Sequence, residues 1–314
     1  MGVYIIRRLI ATIPVIVVVA LVVFSLIHFA PGDPAAIVIG AFGTTEQYAR
    51  VRKELGLDRP LPVQLGLWLK HAFQGDLGTS LFNKDPVLEL IRNRMLPTFS
   101  IAVLTEIFAV VLAVPLGVLA AWKANSWIDR VVMIFSTLGY SIPLFWLGFM
   151  FIYLFGVKLH WAPAAGYVHP GDSVSQFFIR LAMPIASTGL VVMALIVRMT
   201  RATVLEVLHE DYVRTARAKG LAESGVLIRH ALRNAILPII TVIGIGFALL
   251  LGGVVVTENV FAIPGLGRLL VDAIEHRDFP VIQGTLLIVS MIYVLVNLLV
   301  DLSYAFLDPR IRYQ

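Results

Sequence analysis

Six stretches of roughly twenty predominantly apolar residues recur along this chain, at about 9–30, 97–121, 131–155, 181–200, 236–256 and 281–304. As helix, each is long enough to cross a hydrocarbon core of about 30 Å. Inside such a core every backbone N–H and C=O has to be paired within the segment, so runs of this length specify helices. A membrane barrel would show alternating segments of about ten residues instead. Only 14% of the residues are charged, against roughly 25% in soluble domains. The expected fold class is therefore all-α, a polytopic membrane protein with six transmembrane helices. The first run follows Arg7 and Arg8, as a signal peptide would. At about 22 residues it is longer than the usual signal-peptide apolar core, and it is read as a span.

The segments between the runs set the organisation. Residues 31–96 are mixed and polar, with PGDP at 31–34, GDLGTS at 75–80 and amphipathic pieces over 46–55 and 62–73. They predict a small helical domain outside the membrane. The expected division is 1–30 as tail and first span, 31–96 as the outer domain, 97–306 as the membrane core, and 307–314 as a tail. With the N-terminus inside, the short inner segments hold 13 of the 25 Lys and Arg and the two short outer loops hold 4. The positive-inside rule then places both termini in the cytoplasm.

The longest polar interruption in the second half runs from Arg198 to Pro238, with a core loop over 201–235. It carries seven cations: Arg198, Arg201, Arg214, Arg217, Lys219, Arg229 and Arg233. Asp211 suits a helix N-cap and Gly220 a helix stop, which predicts a helix over Tyr212–Lys219, about 12 Å long. So short a helix, rich in Ala and Arg, cannot bury a core of its own. Presented on the cytoplasmic side, it suits a groove on another protein.

Three acids fall in or near spans: Glu106, Glu258 and Asp301. Charge there is costly and is either functional or partnered. A cation or proton path is one reading; a bundle partner for Glu106 and interfacial positions for Glu258 and Asp301 are the other. Gly244, Gly246, Gly252 and Gly253 on the fifth span fit either a passage lining or close packing. Glu106, Gly252, Gly253 and Glu258 are the candidate pathway or gate residues. Ala113, Gly117 and Ala121 form a small-residue face that permits close helix approach. Pro115, Pro143 and Pro184 are candidate kinks. The segment from Gly265 to Pro280 is patterned as a helix too short to span, re-entrant or interfacial.

No catalytic motif is present. The chain lacks G-x-x-x-x-G-K-[ST], H-E-x-x-H and G-x-S-x-G. It has no cysteine, which excludes disulfides and thiol chemistry, and its seven His are scattered. No metal or cofactor site is expected. The net charge of +5 sits beside the spans, where membrane topology accounts for it, and nucleic acid is not an expected partner. Work against a gradient would draw on a partner or an ion gradient.

EDYVRTARAKGL at 210–221 followed by HALRNAILP at 230–238 resembles the cytoplasmic coupling loop of ABC-importer permeases. IIRRL at 5–9, APGDP at 30–34, GDLGTS at 75–80, TENVFAIPGLGRLLVDAIEHRDFPVIQG at 257–284 and NLLVDLSYAFLDPRIRY at 297–313 extend the likeness to essentially the whole chain. Together they resemble the B-type permease of the dipeptide, oligopeptide and nickel branch. The general importer pattern places Leu-Pro 12–13 residues after the Gly, whereas Pro238 follows Gly220 by 18; the peptide branch is similar to this longer form. The resemblance implies the type I permease fold with an extra periplasmic helical domain after helix 1. It implies that Tyr212, Arg214, Thr215, Ala216, Arg217, Ala218, Lys219 and Gly220 dock an ATPase. It also implies a second permease, two ATP-binding subunits carrying ATP and Mg, a periplasmic binding protein, an inner-membrane location and alternating access. An ion-coupled secondary transporter, an assembly or signalling protein, and nickel as cargo are the alternatives. No repeat relates the first three spans to the last three, as a one-chain carrier would normally show.

Overall fold

The computed structural model describes residues 2–29, 39, 44–54 and 56–307. The APGDP stretch and the tail from residue 308 lie outside them. The helices are α1 (Gly2–Phe29), α2 (Thr45–Glu54), α3 (Leu61–Phe73), α4 (Val87–Trp122), α5 (Trp127–Ser141), α6 (Leu144–Phe151), α7 (Val174–Leu208), α8 (Asp211–Ala218), α9 (Arg233–Val260), α10 (Leu266–Glu275) and α11 (Phe279–Leu307). Residues Ile152–Lys158 extend α6 as a π-helix, and Val226–Leu232 lead into α9 as another. Among the described residues there is no strand; one isolated antiparallel bridge joins Thr79 and Pro86.

Among the described residues five helices are long and apolar enough to cross a membrane, and the bent pair α5 and α6 with its extension makes a sixth if the pair is one broken span and not a re-entrant loop. The expected third span is not one straight helix: α5 and α6 meet at 102°. Pro143 is the cause. It has no N–H to continue the helix, and its ring pushes the preceding residue out of helical geometry. Ile142 is accordingly extended, with φ −82° and ψ 128°. Pro115 and Pro184, by contrast, are carried inside continuous helices. Several helices also outrun the apolar windows: α4 starts ten residues before Pro97, and α7 continues eight past Thr200. Polar helix ends can stand beyond the hydrocarbon, so an apolar window underestimates helix length.

The chain divides into two compact units. One comprises residues 97–263 with 299–307. Its core brings together α4, α7 and α9 through Ala109, Ala113, Ile196, Val197 and Val242. The small-residue face of α4 is used here: a Cβ on Gly117 would stand 2.6 Å from Thr200 Cβ and 2.9 Å from the Val197 carbonyl, so only glycine permits this approach. Gly244 packs as closely, with Val300 2.5 Å from where its Cβ would be. Close packing therefore explains Gly244, whereas Gly252 is exposed.

The other unit comprises 2–96 with 264–298. Val87, Ile91, Leu266, Leu269, Ala273 and Val281 form its main core, which buries one face of the expected short helix α10. Two motif stretches distant in sequence meet in this unit. Asp278 is buried; its carboxylate accepts from the Ser80 hydroxyl, from Leu81 N at 3.0 Å and from Phe82 N at 3.4 Å. Ser80 Oγ in turn accepts from Asn83 N at 2.9 Å. The loop entering α4 is thus bolted from inside, with Phe82 against the His276 ring at 4.2 Å.

Candidate functional site

Helix α8 is the centre of the site. Asp211 in its first turn and Arg217 in its last complement the helix dipole. Glu210, not Asp211, is the N-cap residue, and it makes no side-chain capping bond, so the helix begins one residue before the expected start. Its end matches expectation in mechanism. Gly220 has φ +80°, a left-handed conformation that side chains resist. Gly220 N donates to Arg217 O at 2.9 Å and Leu221 N to Ala216 O at 3.3 Å, the two bonds of a Schellman motif.

The eight residues divide sharply between two faces. Val213 is completely buried and Ala216 is 6% exposed. Val213 joins Ala121, Val204, Leu208, Val226, Leu227, Ala231, Ala235 and Ile239 in one apolar cluster. Burying a valine contributes about 1.5–3 kcal/mol, enough to seat a helix too short to persist alone. Tyr212, Arg214, Thr215, Arg217, Ala218, Lys219 and Gly220 are exposed. Ala216 is thus corrected from a surface residue to a packing residue: it lies three positions from Val213, on the same face.

The surrounding polar groups hold the seat in place. Asn234 Nδ2 donates to the Tyr212 hydroxyl at 2.9 Å and to the His230 carbonyl at 2.7 Å. Arg217 forks onto Glu223, at 2.7 Å and 3.3 Å. Arg201, two turns before the end of α7, pairs bidentately with Asp129 at 2.5 Å and 2.6 Å. Asp129 also accepts from Asn125 N at 2.9 Å, which pins the turn between α4 and α5 to α7. The guanidinium of Arg198 lies 5.0 Å from the Tyr140 ring centre. Arg198 and Arg201 therefore serve this chain's own structure, while Arg217 is paired with Glu223 and still exposed. Arg214, Lys219, Arg229 and Arg233 are exposed, and the ion pair of Arg214 with an exposed Asp211, at 3.7 Å, is worth little. The charge count alone could not separate these classes; the acid partners Asp129 and Glu223 were the available signal.

The candidate pathway residues do not share this location. Glu106 is buried on α4 with its carboxylate beside Gly246, and neither carboxylate oxygen has a hydrogen-bond partner among the described residues. Glu258 is completely buried within the protein and accepts from the Thr98 hydroxyl of α4 at 2.5 Å, so it has a side-chain partner on another helix. The Gly246 and Glu258 positions are twelve residues apart on α9, about 18 Å. Gly253 lies on α9 but outside the residues whose surroundings are described.

A bundle of apolar helices with one short cationic helix seated at the end of a span fits a membrane transport component, and the comparisons with known proteins show that class. The model for binding-protein-dependent transport system inner membrane components matches residues 113–313, and the model for the N-terminal part of such components matches 1–102. The chain belongs to this family, the permeases of peptide ABC importers. It is 49% identical over 313 residues, 100% of both chains, to a probable peptide ABC transporter permease protein of Sinorhizobium fredii. It is 41% identical to a dipeptide transport system permease of Alkalihalophilus pseudofirmus, over 99% of each chain. It is 43% identical to a glutathione transport system permease of Salmonella choleraesuis, again over 99% of each. An inward-facing structure of the MetNI methionine ABC transporter shares the fold, with a TM-score of 0.59 at 18% identity, over 70% of this chain and 97% of that one.

Proposed function

We propose that this chain is the permease subunit that carries peptides across the inner membrane for an ATP-driven importer, and that α8 is the point at which the motor pushes. The observation that supports the reading is the division of α8: an apolar face seated on the core and an exposed face carrying Arg214 and Lys219. A helix fixed to the spans transmits a push, and exposed cations complement an acidic groove. In this reading two ATP-binding subunits dock on α8 and on its counterpart in a second, homologous permease, and a periplasmic binding protein delivers substrate to the outer face. Closure of the motor opens the spans outward and hydrolysis resets them. Both termini are cytoplasmic. The substrate class follows the named relatives, which handle peptides, dipeptides and glutathione.

The test is the double substitution Arg214→Glu with Lys219→Glu, in the complex co-expressed with its ATPase subunits. The expected result is loss of ATPase co-purification and at least a tenfold fall in ATP-dependent peptide uptake into proteoliposomes, with the permease still folded. Unchanged co-purification and uptake would reject α8 as the docking point. Uptake that survives ATP depletion but not an ionophore would instead identify an ion-coupled carrier.

A further inference from the structure

The apolar seat of α8 draws on three spans: Ala121 of α4, Val204 and Leu208 of α7, and Ala235 and Ile239 of α9. Apolar contact has no direction, so the seat holds α8 without choosing which span it moves. Hydrogen bonds do have direction, and the side-chain bonds that leave α8 point one way. Near its start, the Tyr212 hydroxyl accepts at 2.9 Å from Asn234 Nδ2, in the first turn of α9. Near its end, Arg217 donates to Glu223, at the head of the stretch that leads into α9. That stretch includes the π-helix Val226–Leu232, a form that is rare and concentrates at functional sites.

The spans before and after α8 are anchored differently. α7 is fastened to α5: Arg201 forks onto Asp129, and the Ser136 hydroxyl donates to Ala194 O at 2.6 Å. α9 is fastened at its far end. There Glu258 accepts from Thr98 of α4 at 2.5 Å, and the Thr257 and Thr188 hydroxyls share a hydrogen bond of 2.8 Å. Over residues 233–246, among the described residues, the side-chain hydrogen bonds stay within α9 and its lead-in with one exception, Asn234 to Tyr212. Pro238 lacks the N–H that would reach Asn234 O, and Ala235 and Ile239, packed in the α8 cluster on either side of it, hold this turn in line. About 35 Å of helix separates Asn234 from Thr257. A rod held at one end and driven at the other tilts.

We propose that Asn234 is a positioning residue for energy coupling. Through Tyr212 it passes a displacement of α8 to the near end of α9, which tilts about its Thr257–Glu258 end while α7 stays with α5. The inference rests on α8 being the point where the motor docks. In this role Asn234 touches neither nucleotide nor peptide.

The test uses the reconstituted complex with its ATPase subunits and binding protein, and reads peptide uptake and ATP hydrolysis together. Asn234→Ala should keep ATPase co-purification, and hydrolysis within about twofold of the parent, while lowering peptide taken up per ATP about fivefold or more. Asn234→Asp can still accept from the Tyr212 hydroxyl and should recover at least half of that ratio. The chain has no cysteine, so spin labels can be placed at chosen positions. Ile245 on α9 and Ile134 on α5 are exposed. With labels on Ile245→Cys and Ile134→Cys, ATP with vanadate should change the separation by about 2 Å or more in the parent and not in Asn234→Ala. The pair Ala202→Cys on α7 and Ile134→Cys should keep its separation in both. An unchanged uptake-to-ATP ratio in Asn234→Ala overturns the proposal. So does an equal loss in Asn234→Asp, or a change on the α7 pair as large as that on the α9 pair. Loss of the ATPase from Asn234→Ala also overturns it, by placing Asn234 in the docking surface. Failure of α8 as the docking point is read separately, from the Arg214→Glu and Lys219→Glu pair with Asn234 intact.

Discussion

The Asp278 loop and helix α8 are both short polar elements joined to a long span, and they use their polar groups in opposite ways. In the loop, one buried carboxylate receives the Ser80 hydroxyl and two backbone N–H groups, so its polarity is directed inward. In α8 the inward contacts are apolar, through Val213 and Ala216, and the cations face outward. The contrast separates two roles that composition treats alike. Polar groups satisfied within the chain build a fixed shape; polar groups held exposed on a fixed seat are free to meet a partner.

The comparison predicts that stability and transport respond in opposite order. Asp278→Ala should have the largest effect on stability, about 3 kcal/mol, because it removes the acceptor from the buried Ser80 hydroxyl and from the part-buried Leu81 and Phe82 N–H groups at once. Thermal unfolding of the purified complex measures this, and a shift no larger than that of a surface variant would break the comparison on the loop side. Arg201→Ala should follow, at about 2–3 kcal/mol, since it leaves the buried Asp129 carboxylate with the Asn125 N–H and the neighbouring charge of Arg130 but without its bidentate partner. Recovery of at least half the loss by exchanging the two residues, Asp129→Arg with Arg201→Asp, would show that charge pairing, not packing alone, holds the α4–α5 turn.

Val213→Ala should cost about 1.6 kcal/mol, the value of two buried methylenes, and should loosen α8 on its seat. Hydrogen exchange should speed up at α8 before it does elsewhere. Arg217→Glu should be smallest in stability, about 0–1 kcal/mol, because its pair with Glu223 is more than a third exposed on both sides. Its effect on uptake should nonetheless be among the largest, since it reverses charge on the exposed face. If Arg217→Glu lowers uptake only in proportion to lost stability, the distinction between building groups and docking groups fails at α8.

Several features were legible in advance because they depend on local chemistry. Gly220 announces a helix stop wherever the chain goes next, and the Schellman bonds follow from it. The helices over Thr45–Glu54, Leu61–Phe73 and Leu266–Glu275 lie where apolar periodicity placed them. Other features were not legible. Pro115, Pro143 and Pro184 look alike in sequence, yet only Pro143 breaks its span. Glu258 sits near a span end, where water would be cheap, but Thr98 from another helix accompanies it in a dry position. Ala216 reads as part of a polar helix until its face is known.

The sequence by itself determined that this chain is a bundle of membrane-crossing helices with one short cationic helix between two of them, because span length, apolarity and charge bias are properties of contiguous residues. The tertiary structure alone decided which cations are exposed and which are structural, which face of α8 is its seat, and that Ser80 and Asp278 meet across almost two hundred residues. Those outcomes depend on which side chains end within about 3 Å of one another after packing, a distance that no local pattern encodes.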